Sequence, residues 1–265
     1  MKLELHEKNK SFTWQQKKPP FGFLTNAQVK QYDEQGFFLL RGAFSKEEIN
    51  QVLNEIDPFE KKVTEDLRQY ENGKFLISRA DDITFTTHLV LYSDFLKAFA
   101  SHKVFKGLCQ DLIGGDVRLY WDQAVYKKGD TQEDFPWHQD NGYTFVNPQA
   151  YLTCWIPLTD TDESNGCPWV IPKLHKMGTL KHDVTELGYK IKLDDSDAIP
   201  VPAKAGDIVV FSSLTPHCTG PNKTDSTRKS YILQYAPNGA VRYPPFSEKE
   251  EANNPDRQFF VNKKS

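Results

Sequence analysis

His217-Cys-Thr-Gly-Pro-Asn-Lys-Thr-Asp-Ser-Thr-Arg228 joins an imidazole to a guanidinium through a turn, and it lies between two segments that have strand patterns. The segment before it, Gly206-Asp-Ile-Val-Val-Phe211, is a turn followed by a short apolar run rich in β-branched residues. In the segment after it, two sets of residues alternate along the chain: Ser230, Ile232 and Gln234 with Tyr231, Leu233 and Tyr235. This alternation predicts a strand with two different faces, and the neighbouring turns and strands predict a mainly β fold.

The segment His138-Gln-Asp140 supplies two further candidate metal ligands upstream of His217. Two imidazoles and one carboxylate can occupy one face of a six-coordinate metal and leave the opposite face open, as in non-haem Fe(II) oxygenases. A His-x-Asp motif alone is a weak signal, because a surface histidine beside a solvated aspartate is the commoner case. The apolar Phe135-Pro-Trp137 before the motif and the turn-compatible Asn141-Gly-Tyr143 after it favour a metal centre.

Arg228 begins the alternating strand, so its side chain points either into the barrel or out to solvent. An outward arginine is an ordinary solvated charge, whereas an inward one needs an anionic partner to avoid a costly unpaired buried charge. A planar guanidinium holds a carboxylate through two parallel hydrogen bonds. Arg228, together with His138, Asp140 and His217, therefore favours a site in which a metal activates O2 beside a chelated dicarboxylate.

These motifs resemble those of the phytanoyl-CoA dioxygenase family of Fe(II)/2-oxoglutarate-dependent oxygenases. The resemblance extends to residues 24–42, a helix followed by a strand, and to residues 155–172, a strand, an acidic turn and an Asn-Gly strand pair. It implies iron at His138, Asp140 and His217, and the distal carboxylate of 2-oxoglutarate at Arg228. By the same matching, Thr219 joins Arg228 at that carboxylate. Three more residues line the co-substrate pocket: Gln139, Trp155 and Gln123.

The resemblance also implies the reaction. An enzyme of this kind uses Fe(II), 2-oxoglutarate and O2, oxidises a C–H bond of a small molecule, by default through hydroxylation, and releases succinate and CO2. Halogenation is disfavoured because a halide needs the coordination position that Asp140 fills. The chain departs from the family at Pro172-Lys-Leu-His175, where many members have Pro-Gly-Ser-His, so the family's substrate contacts do not transfer.

The expected substrate is a small metabolite or a natural-product intermediate. Four aromatic residues are candidates for a substrate cleft, although ordinary core packing is the commoner role for each: Phe75, Phe85, Tyr143 and Phe145. The lysines that could dock an acyl-CoA are scattered along the chain: Lys127, Lys128, Lys173 and Lys176.

Two other functions are compatible with part of this pattern. A zinc- or manganese-dependent jelly-roll isomerase or hydrolase would use the three ligands but leave Arg228 and Thr219 without a role. A non-catalytic cupin-like binding module would keep the fold, but a degenerate site should have lost at least one ligand. The complete set of residues therefore favours the oxygenase.

Composition excludes several partners. The net charge of −3, with interspersed Lys and Glu, gives no electrostatic reason to bind nucleic acid or an anionic membrane. The Lys17-Lys18, Lys127-Lys128 and Lys263-Lys264 pairs are expected to be solvated. The 4 cysteines lack zinc-site spacing and predict buried thiols in a reducing cytoplasm. The N-terminus has no apolar signal region and no apolar run approaches a membrane span. Oligomeric state is left open.

The order of the patterns predicts one domain over residues 1–265, with a polar arm (1–22), a helical buttress (23–115), a jelly-roll core (116–240) and a C-terminal segment (241–265). Thr25 caps a helix over 27–35, Ser45 one to about residue 57, and Ser93 a long helix closed by Gly114-Gly115. Residues 58–90 have no clear pattern and are a candidate lid. The expected strands are 117–127, 150–158, 167–171, 188–193, 207–212 and 228–236. This predicts a double-stranded β-helix (a cupin-like jelly roll) with N-terminal buttressing helices.

Overall fold

A computed structural model gives the structure of the chain and describes residues 3–244 and 247–263. Helices come mainly before residue 113, and strands dominate after it. The α-helices are α1 (Asn26–Gln35), α2 (Lys46–Leu67), α3 (Asp94–Phe99), α4 (Lys103–Leu112) and α5 (Asp140–Tyr143). Short 3-10 helices cover Glu71–Gly73, Leu89–Leu91 and Leu174–Met177. Within the described ranges, none of the helices is long and apolar enough to cross a membrane.

The strands are short except for two long central ones. The first nine are β1 (Phe37–Leu40), β2 (Lys74–Phe75), β3 (Ser78–Arg79), β4 (Ile83–Thr87), β5 (Val117–Lys127), β6 (Phe135–His138), β7 (Phe145–Asn147), β8 (Leu152–Pro157) and β9 (Pro168–Val170). The others are β10 (Asp183–Thr185), β11 (Gly188–Lys190), β12 (Ile199–Pro200), β13 (Ile208–Ser212), β14 (His217–Thr219), β15 (Arg228–Pro237), β16 (Val241–Tyr243), β17 (Glu250–Glu251) and β18 (Phe260–Asn262).

Two antiparallel sheets form a jelly roll. The larger has 9 strands in the order β1-β13-β8-β15-β5-β4-β3-β2, with β18 beside β5. The smaller has the order β12-β9-β14-β6. An apolar cluster joins the two sheets, since Val125, Trp155 and Phe211 of the larger sheet pack with Val170 of the smaller one. The predicted mainly β, jelly-roll fold is therefore confirmed.

The alternation read from the sequence separates the two faces of the larger sheet. Tyr231, Leu233 and Tyr235 of β15 lie in the main hydrophobic core, against the helices. Arg228 and Ile232, on the opposite face of the same strand, line a cavity between the sheets. Because neighbouring side chains of a strand point to opposite faces, one strand serves both the core and the cavity.

The first helix forms as the sequence predicts, and its two ends explain why. Thr25 and Gln28 form a capping box at the start of α1. Gly36 ends the helix in the left-handed conformation, with φ of 88°, and its N–H donates to the carbonyl of Tyr32. Ser45 caps α2 through a second capping box with Glu48.

The other helices differ from the prediction. Helix α2 continues through Pro58 to Leu67, because its buried face goes on beyond the proline. There the carboxylate of Glu60 accepts hydrogen bonds from Thr64 and Thr84. The long helix predicted after Ser93 is two helices, α3 and α4, because the chain turns after Phe99 and His102 caps a new start.

The segments expected to be a buttress and a tail also build sheets. Strands β1 to β4, which come from residues 37–87, extend both edges of the larger sheet, and β18 pairs with β5. The pair β2 and β3 lies within the segment considered as a lid. Two short strands that the sequence did not predict, β6 and β14, carry two of the three candidate metal ligands, His138 and His217.

One lysine of a pair expected to be solvated lies inside the protein. Lys127 is 1% exposed, and its amino group donates to the carbonyls of Glu133, Thr219 and Gly220. Lys128 is partly exposed and donates to Glu60 of α2. The prediction was wrong for Lys127, because its position at the end of β5 directs its side chain to the carbonyls beside β6 and β14. The four cysteines are free and buried, as predicted.

Replacing Gly36 with alanine should destabilise the protein more than the same change at Gly239. Both glycines have positive φ, but a Cβ at Gly36 would lie 2.6 Å from His175 Nδ1 and Thr215 Oγ1, whereas nothing lies within 4 Å at Gly239. The backbone conformation and the crowding together should lower the free energy of unfolding by about 2–5 kcal/mol for Gly36→Ala. For Gly239→Ala, the backbone conformation alone should lower the free energy of unfolding by about 1–2 kcal/mol. Urea unfolding measures both, and equal losses would contradict this explanation.

Candidate metal centre and co-substrate site

Two short strands bring His138 and His217 together. His138 ends β6, His217 begins β14, and the two residues are direct partners in the antiparallel register of these strands. Their rings lie 4.1 Å apart between centroids, and both side chains are buried. One cross-strand pair therefore brings together His138 and His217, which are far apart in the sequence.

Backbone carbonyls fix the orientation of both imidazoles. His138 Nδ1 lies 2.7 Å from the carbonyl of Pro136, and His217 Nδ1 lies 2.9 Å from that of Thr215. Each Nδ1 therefore carries the proton and donates it, which leaves both Nε2 lone pairs free to bind a metal. This is the usual arrangement of a metal-bound histidine. Burial lowers the pKa of His138 to about 3 and that of His217 to about 4, so both rings are neutral.

Asp140 completes the cluster at the first turn of α5. Its Oδ1 lies 3.9 Å from His138 Nε2 and 3.7 Å from His217 Nε2. Its Oδ2 accepts a hydrogen bond of 2.5 Å from Thr153 Oγ1, which fixes the carboxylate. Burial raises the pKa of Asp140, against the effects of His138 and Thr153. One donor atom from each of the three residues lies within 4.8 Å of the others, as a bound metal requires.

Arg228 is a buried cation without an anionic partner. Its side chain is 1% exposed, and Nη1 donates to Ser230 Oγ at 2.8 Å and to the carbonyl of Val125 at 3.3 Å. Within residues 3–244 and 247–263, neither its Nε nor its Nη2 has a hydrogen-bond partner. Burial lowers the pKa of Arg228 to about 10, which still leaves it charged. Two free donors on a buried guanidinium match a bidentate carboxylate.

A cavity of about 60 Å³ connects Arg228 to the metal cluster. It is lined by three of the residues that the resemblance implied for the co-substrate: Thr219, Trp155 and Gln123. The Trp155 ring centroid lies 5.5 Å from the Arg228 guanidinium carbon. Phe211 and Ile232 supply apolar walls. Such walls keep water from the charged groups and strengthen their interaction with a bound anion.

Gln139 is a correction to the predicted pocket. Its side-chain amide donates to the carbonyls of Gly178 and Leu214, and its oxygen accepts from the N–H of Leu180. It does not line the cavity. Because Gln139 lies between His138 and Asp140, its side chain points to the opposite side from theirs. There it connects the loop at residues 178–180 to the metal-binding segment.

Sequence reasoning missed three residues that support the site. Thr153 donates to the Asp140 carboxylate and accepts from the Gln234 amide, and Lys127 connects β5 to the end of β14. Strand alternation could have indicated Thr153 and Gln234. Thr153 lies on the same face of its strand as Trp155, and Gln234 lies on the same face of its strand as Arg228. For Lys127 the sequence carries no comparable signal.

A second and larger cavity, of about 510 Å³, meets the small one at the metal cluster. Both are lined by Phe85, Gln123, Phe135, His138 and Asp140. Phe75 and Tyr143, two of the predicted cleft aromatics, also line the larger cavity, whereas Phe145 does not. A volume of this size is typical of sites for small organic molecules.

The donor set fits iron(II). Two neutral imidazoles and a carboxylate, each held by a second hydrogen bond, leave three positions free on a six-coordinate metal. The small cavity joins these ligands to Arg228, whose free donors match a carboxylate. Cys218, next to His217, is a buried free thiol and is not part of the cluster found among the described residues.

Comparison with known proteins supports this chemistry. A family model described as Phytanoyl-CoA dioxygenase (PhyH) matches residues 32–230. A methylphosphonate hydroxylase of Gimesia maris is 30% identical over 128 residues, which cover 48% of this chain and 48% of that protein. Phytanoyl-CoA dioxygenase 1 of Oryza sativa is 25% identical, with 81% of this chain and 90% of that protein covered. The first match thus spans about half of the relative, and the second nearly all of it.

A solved structure shows the same fold. The epimerase SnoN, crystallised with Fe3+, alpha-ketoglutarate and nogalamycin RO, superposes with a TM-score of 0.71 and 21% sequence identity. The match covers 89% of this chain and 98% of that one.

Metal binding should release at most one proton at pH 5.5. A histidine with the ordinary pKa of about 6.5 carries about 0.9 proton at this pH, so two such ligands would release nearly two. Burial keeps His138 and His217 neutral, which leaves Asp140 as the only ligand with a proton to lose. Calorimetry of Co(II) binding in two buffers of different ionisation enthalpy measures the number, with pH 7.5 as the reference. Release of two protons at pH 5.5 would contradict the neutral histidines.

Proposed function

Because the chain belongs to the phytanoyl-CoA dioxygenase family, we propose that His138, Asp140 and His217 hold Fe(II) and that Arg228 holds 2-oxoglutarate beside it. The protein is a non-haem Fe(II)- and 2-oxoglutarate-dependent oxygenase, an oxidoreductase that uses O2 and acts on a small molecule. The observation that carries the residue assignment is the buried guanidinium of Arg228, whose Nε and Nη2 lack partners in the described chain and whose side chain lines the same small cavity as the cluster.

Each residue has a separate task in this proposal. The carbonyls of Pro136 and Thr215 hold the two rings, so that both Nε2 atoms point at one position. Thr153 holds the Asp140 carboxylate, which contributes the negative charge. When bound, the iron with its co-substrate supplies the oxidation of a substrate C–H bond, with release of succinate and CO2.

Arg228 and Thr219 bind the distal carboxylate of the co-substrate in this proposal. Bidentate binding by Arg228 sets the direction of the dicarboxylate, and so places its 2-keto end towards the cluster. Trp155, Phe211 and Ile232 exclude water from this end of the cavity. Gln123 lines both cavities and so lies between the co-substrate and the substrate.

The proposed substrate is a metabolite of moderate size, such as a natural-product intermediate. The cavity of about 510 Å³ and its aromatic walls support this class. An acyl-CoA would need basic groups for its phosphates, but Lys127 is buried and Lys128 is paired with Glu60. Hydroxylation is the proposed outcome.

We also propose that the whole chain forms one oxygenase domain. Trp14 near the N-terminus and Val261 near the C-terminus belong to the same hydrophobic core as the helices and the larger sheet. An isomerase or hydrolase on this fold would leave the Arg228 donors unused, and no contact in the described chain favours it.

Removal of either imidazole should abolish turnover and leave the fold. His138→Ala and His217→Ala each remove one of three ligands, so substrate-coupled succinate formation should fall below detection. Their circular dichroism should match the wild type, because the sheets are held by backbone pairing and the apolar core. His102→Asn, which keeps the helix cap of α4 far from the cluster, should retain full activity. Wild-type activity in either alanine variant would exclude that histidine as a ligand.

Replacement of Arg228 should weaken 2-oxoglutarate binding selectively. Arg228→Leu removes a charge-assisted hydrogen-bonded pair, which is worth about 2–4 kcal/mol when desolvated. At about 1.4 kcal/mol per tenfold, the apparent affinity should fall by roughly two orders of magnitude. Iron binding should change little, because Arg228 donates to no ligand of the cluster.

A neighbouring cation on the other face of β15 provides the control. Lys229 pairs with Asp57 outside the cavity, and Lys229→Met should leave the affinity for 2-oxoglutarate unchanged. Titration of both variants with 2-oxoglutarate under anaerobic conditions makes the comparison. Equal affinities in wild type and Arg228→Leu would mean that another cation anchors the co-substrate.

A further inference from the structure

The larger cavity has a cation of its own, distinct from Arg228. Arg242 of β16 lines this cavity with its side chain 19% exposed. Its Nη1 lies 3.2 Å from Glu250 Oε1, on the neighbouring strand β17. Its Nε is buried and has no hydrogen-bond partner among residues 3–244 and 247–263. Arg242 is therefore incompletely paired at a place that a substrate can reach.

A second arginine lies close to the first. The guanidinium carbon of Arg257 lies 5.8 Å from the ring centroid of Trp121, which lines the same cavity. Its buried Nη1 has no partner in the described part of the chain, and no ion pair joins it to a described carboxylate. Burial, and then the nearby charge of Arg242, lower the pKa of Arg257. Each guanidinium group thus makes the other less favourable in its charged form, and a nearby anion would relieve this repulsion.

Few acidic groups oppose the arginines at the cavity itself. Burial, together with the two arginines, lowers the pKa of His88 to about 4, so this imidazole is neutral. Asp122 does not line the larger cavity, and its carboxylate accepts hydrogen bonds from the Tyr231 hydroxyl and the Val90 N–H. Among the described residues, Glu250 is the acid within ion-pair distance of Arg242, and it is 58% exposed. A largely exposed carboxylate is a weak partner for a partly buried cation, which favours an added anion at Arg242.

The remaining walls of the cavity are flat and apolar. They include Phe85, Tyr120, Trp121, Phe135 and Tyr143. At the turn between β2 and β3, Phe75 and Leu76 also line the cavity, although they are 51% and 76% exposed. Large apolar side chains left exposed beside a cavity indicate an apolar ligand that covers them. The positive φ of 52° at Leu76 is an unusual conformation for this residue and turns the hairpin sharply at this point.

We propose that the larger cavity binds a small organic anion: a flat, apolar body that carries one carboxylate or phosphoryl-type group. Arg242 contacts the anionic group, Arg257 adds to its field, and the aromatic walls pack against the body. Glu250 competes with the ligand for Arg242. As the substrate of the enzyme this molecule rests on the proposed function, since it lies between Arg242 and the metal cluster in the same cavity.

Arg228 and Arg242 each bind a different anion in this proposal. Arg228 lies in the small cavity, which fits the co-substrate, and Arg242 lines the larger one. A cationic substrate is disfavoured, because the one carboxylate among the described walls of the larger cavity is that of the metal ligand Asp140.

Matched probes that differ in charge test the proposal. The probes are 1-naphthylacetate, 1-naphthyl phosphate and the neutral 1-naphthylacetamide. Each is titrated into protein loaded with Fe(II) and 2-oxoglutarate in the absence of O2, so that the small cavity is filled and no turnover occurs. Quenching of tryptophan fluorescence reports binding, since Trp121 lies in the cavity. The two anionic probes distinguish a carboxylate site from a phosphoryl site.

The wild type should bind at least one anionic probe about tenfold more tightly than the amide, the size expected for one charge-assisted contact. Arg242→Gln should remove this preference and leave the affinity for the amide unchanged, which also shows that the cavity is intact. Glu250→Gln removes the competing carboxylate at an exposed position and should increase the preference. No preference in the wild type, or an undiminished one in Arg242→Gln, would overturn the proposal.

The same variants separate this proposal from the assignment of Arg228. The probe preference should respond to Arg242 and not to Arg228→Leu, whereas the affinity for 2-oxoglutarate should respond to Arg228 and not to Arg242→Gln. If the affinity for 2-oxoglutarate does not respond to Arg228→Leu, but the probe preference responds to Arg242→Gln, the co-substrate assignment is wrong and the anion site stands. If the probe preference does not respond to Arg242→Gln, but the affinity for 2-oxoglutarate responds to Arg228→Leu, the anion site is wrong and the co-substrate assignment stands.

Discussion

Strand β15 lies between β5 and β8, and its register with them separates the core of the protein from its reaction chamber. Ile232 is paired with Gln123 on one side and with Trp155 on the other, and all three residues line the small cavity. Tyr231 and its equivalents on the other face fill the core against the helices. A slip by one residue would exchange the faces and put Arg228 into the apolar core. The large apolar side chains of β15 therefore hold the catalytic side chains in place.

Lys127 transmits this register to the smaller sheet. It lies opposite Arg228 in the pairing of β5 with β15, and its ammonium binds the carbonyls at the end of β14 and before β6. The Lys127 amino group has three donors when protonated, and three carbonyls accept them. Burial and the nearby Arg228 nevertheless lower its pKa to about 7. Strands β14 and β6 carry His217 and His138. The position of the metal ligands relative to Arg228 thus depends on Lys127, the cross-strand neighbour of Arg228, which reaches the ligand strands through backbone carbonyls.

Local signals were sufficient for part of this structure. The capping boxes at Thr25 and Ser45 fix helix starts through contacts three residues apart, and the alternation along β15 fixes its two faces. Strands β6 and β14 were missed because each is short, and β6 contains a proline, so partners far along the chain define them. Gln139 was placed wrongly because the resemblance was followed where strand alternation points the other way. Arg242 comes to the larger cavity, and Arg257 to its wall residue Trp121, through tertiary packing, for which one sequence gives no signal.

The central claim is that a buried, unpaired guanidinium and a His-Asp-His cluster are two ends of one site. A crystal structure of the protein grown without O2, with Fe(II) and 2-oxoglutarate, tests it most directly. We expect one metal at about 2.0–2.2 Å from His138 Nε2, His217 Nε2 and an Asp140 oxygen. We also expect the distal carboxylate of 2-oxoglutarate to accept hydrogen bonds from Nε and Nη2 of Arg228. A metal bound elsewhere, or a dicarboxylate anchored at Arg242 with Arg228 still unpaired, would contradict it.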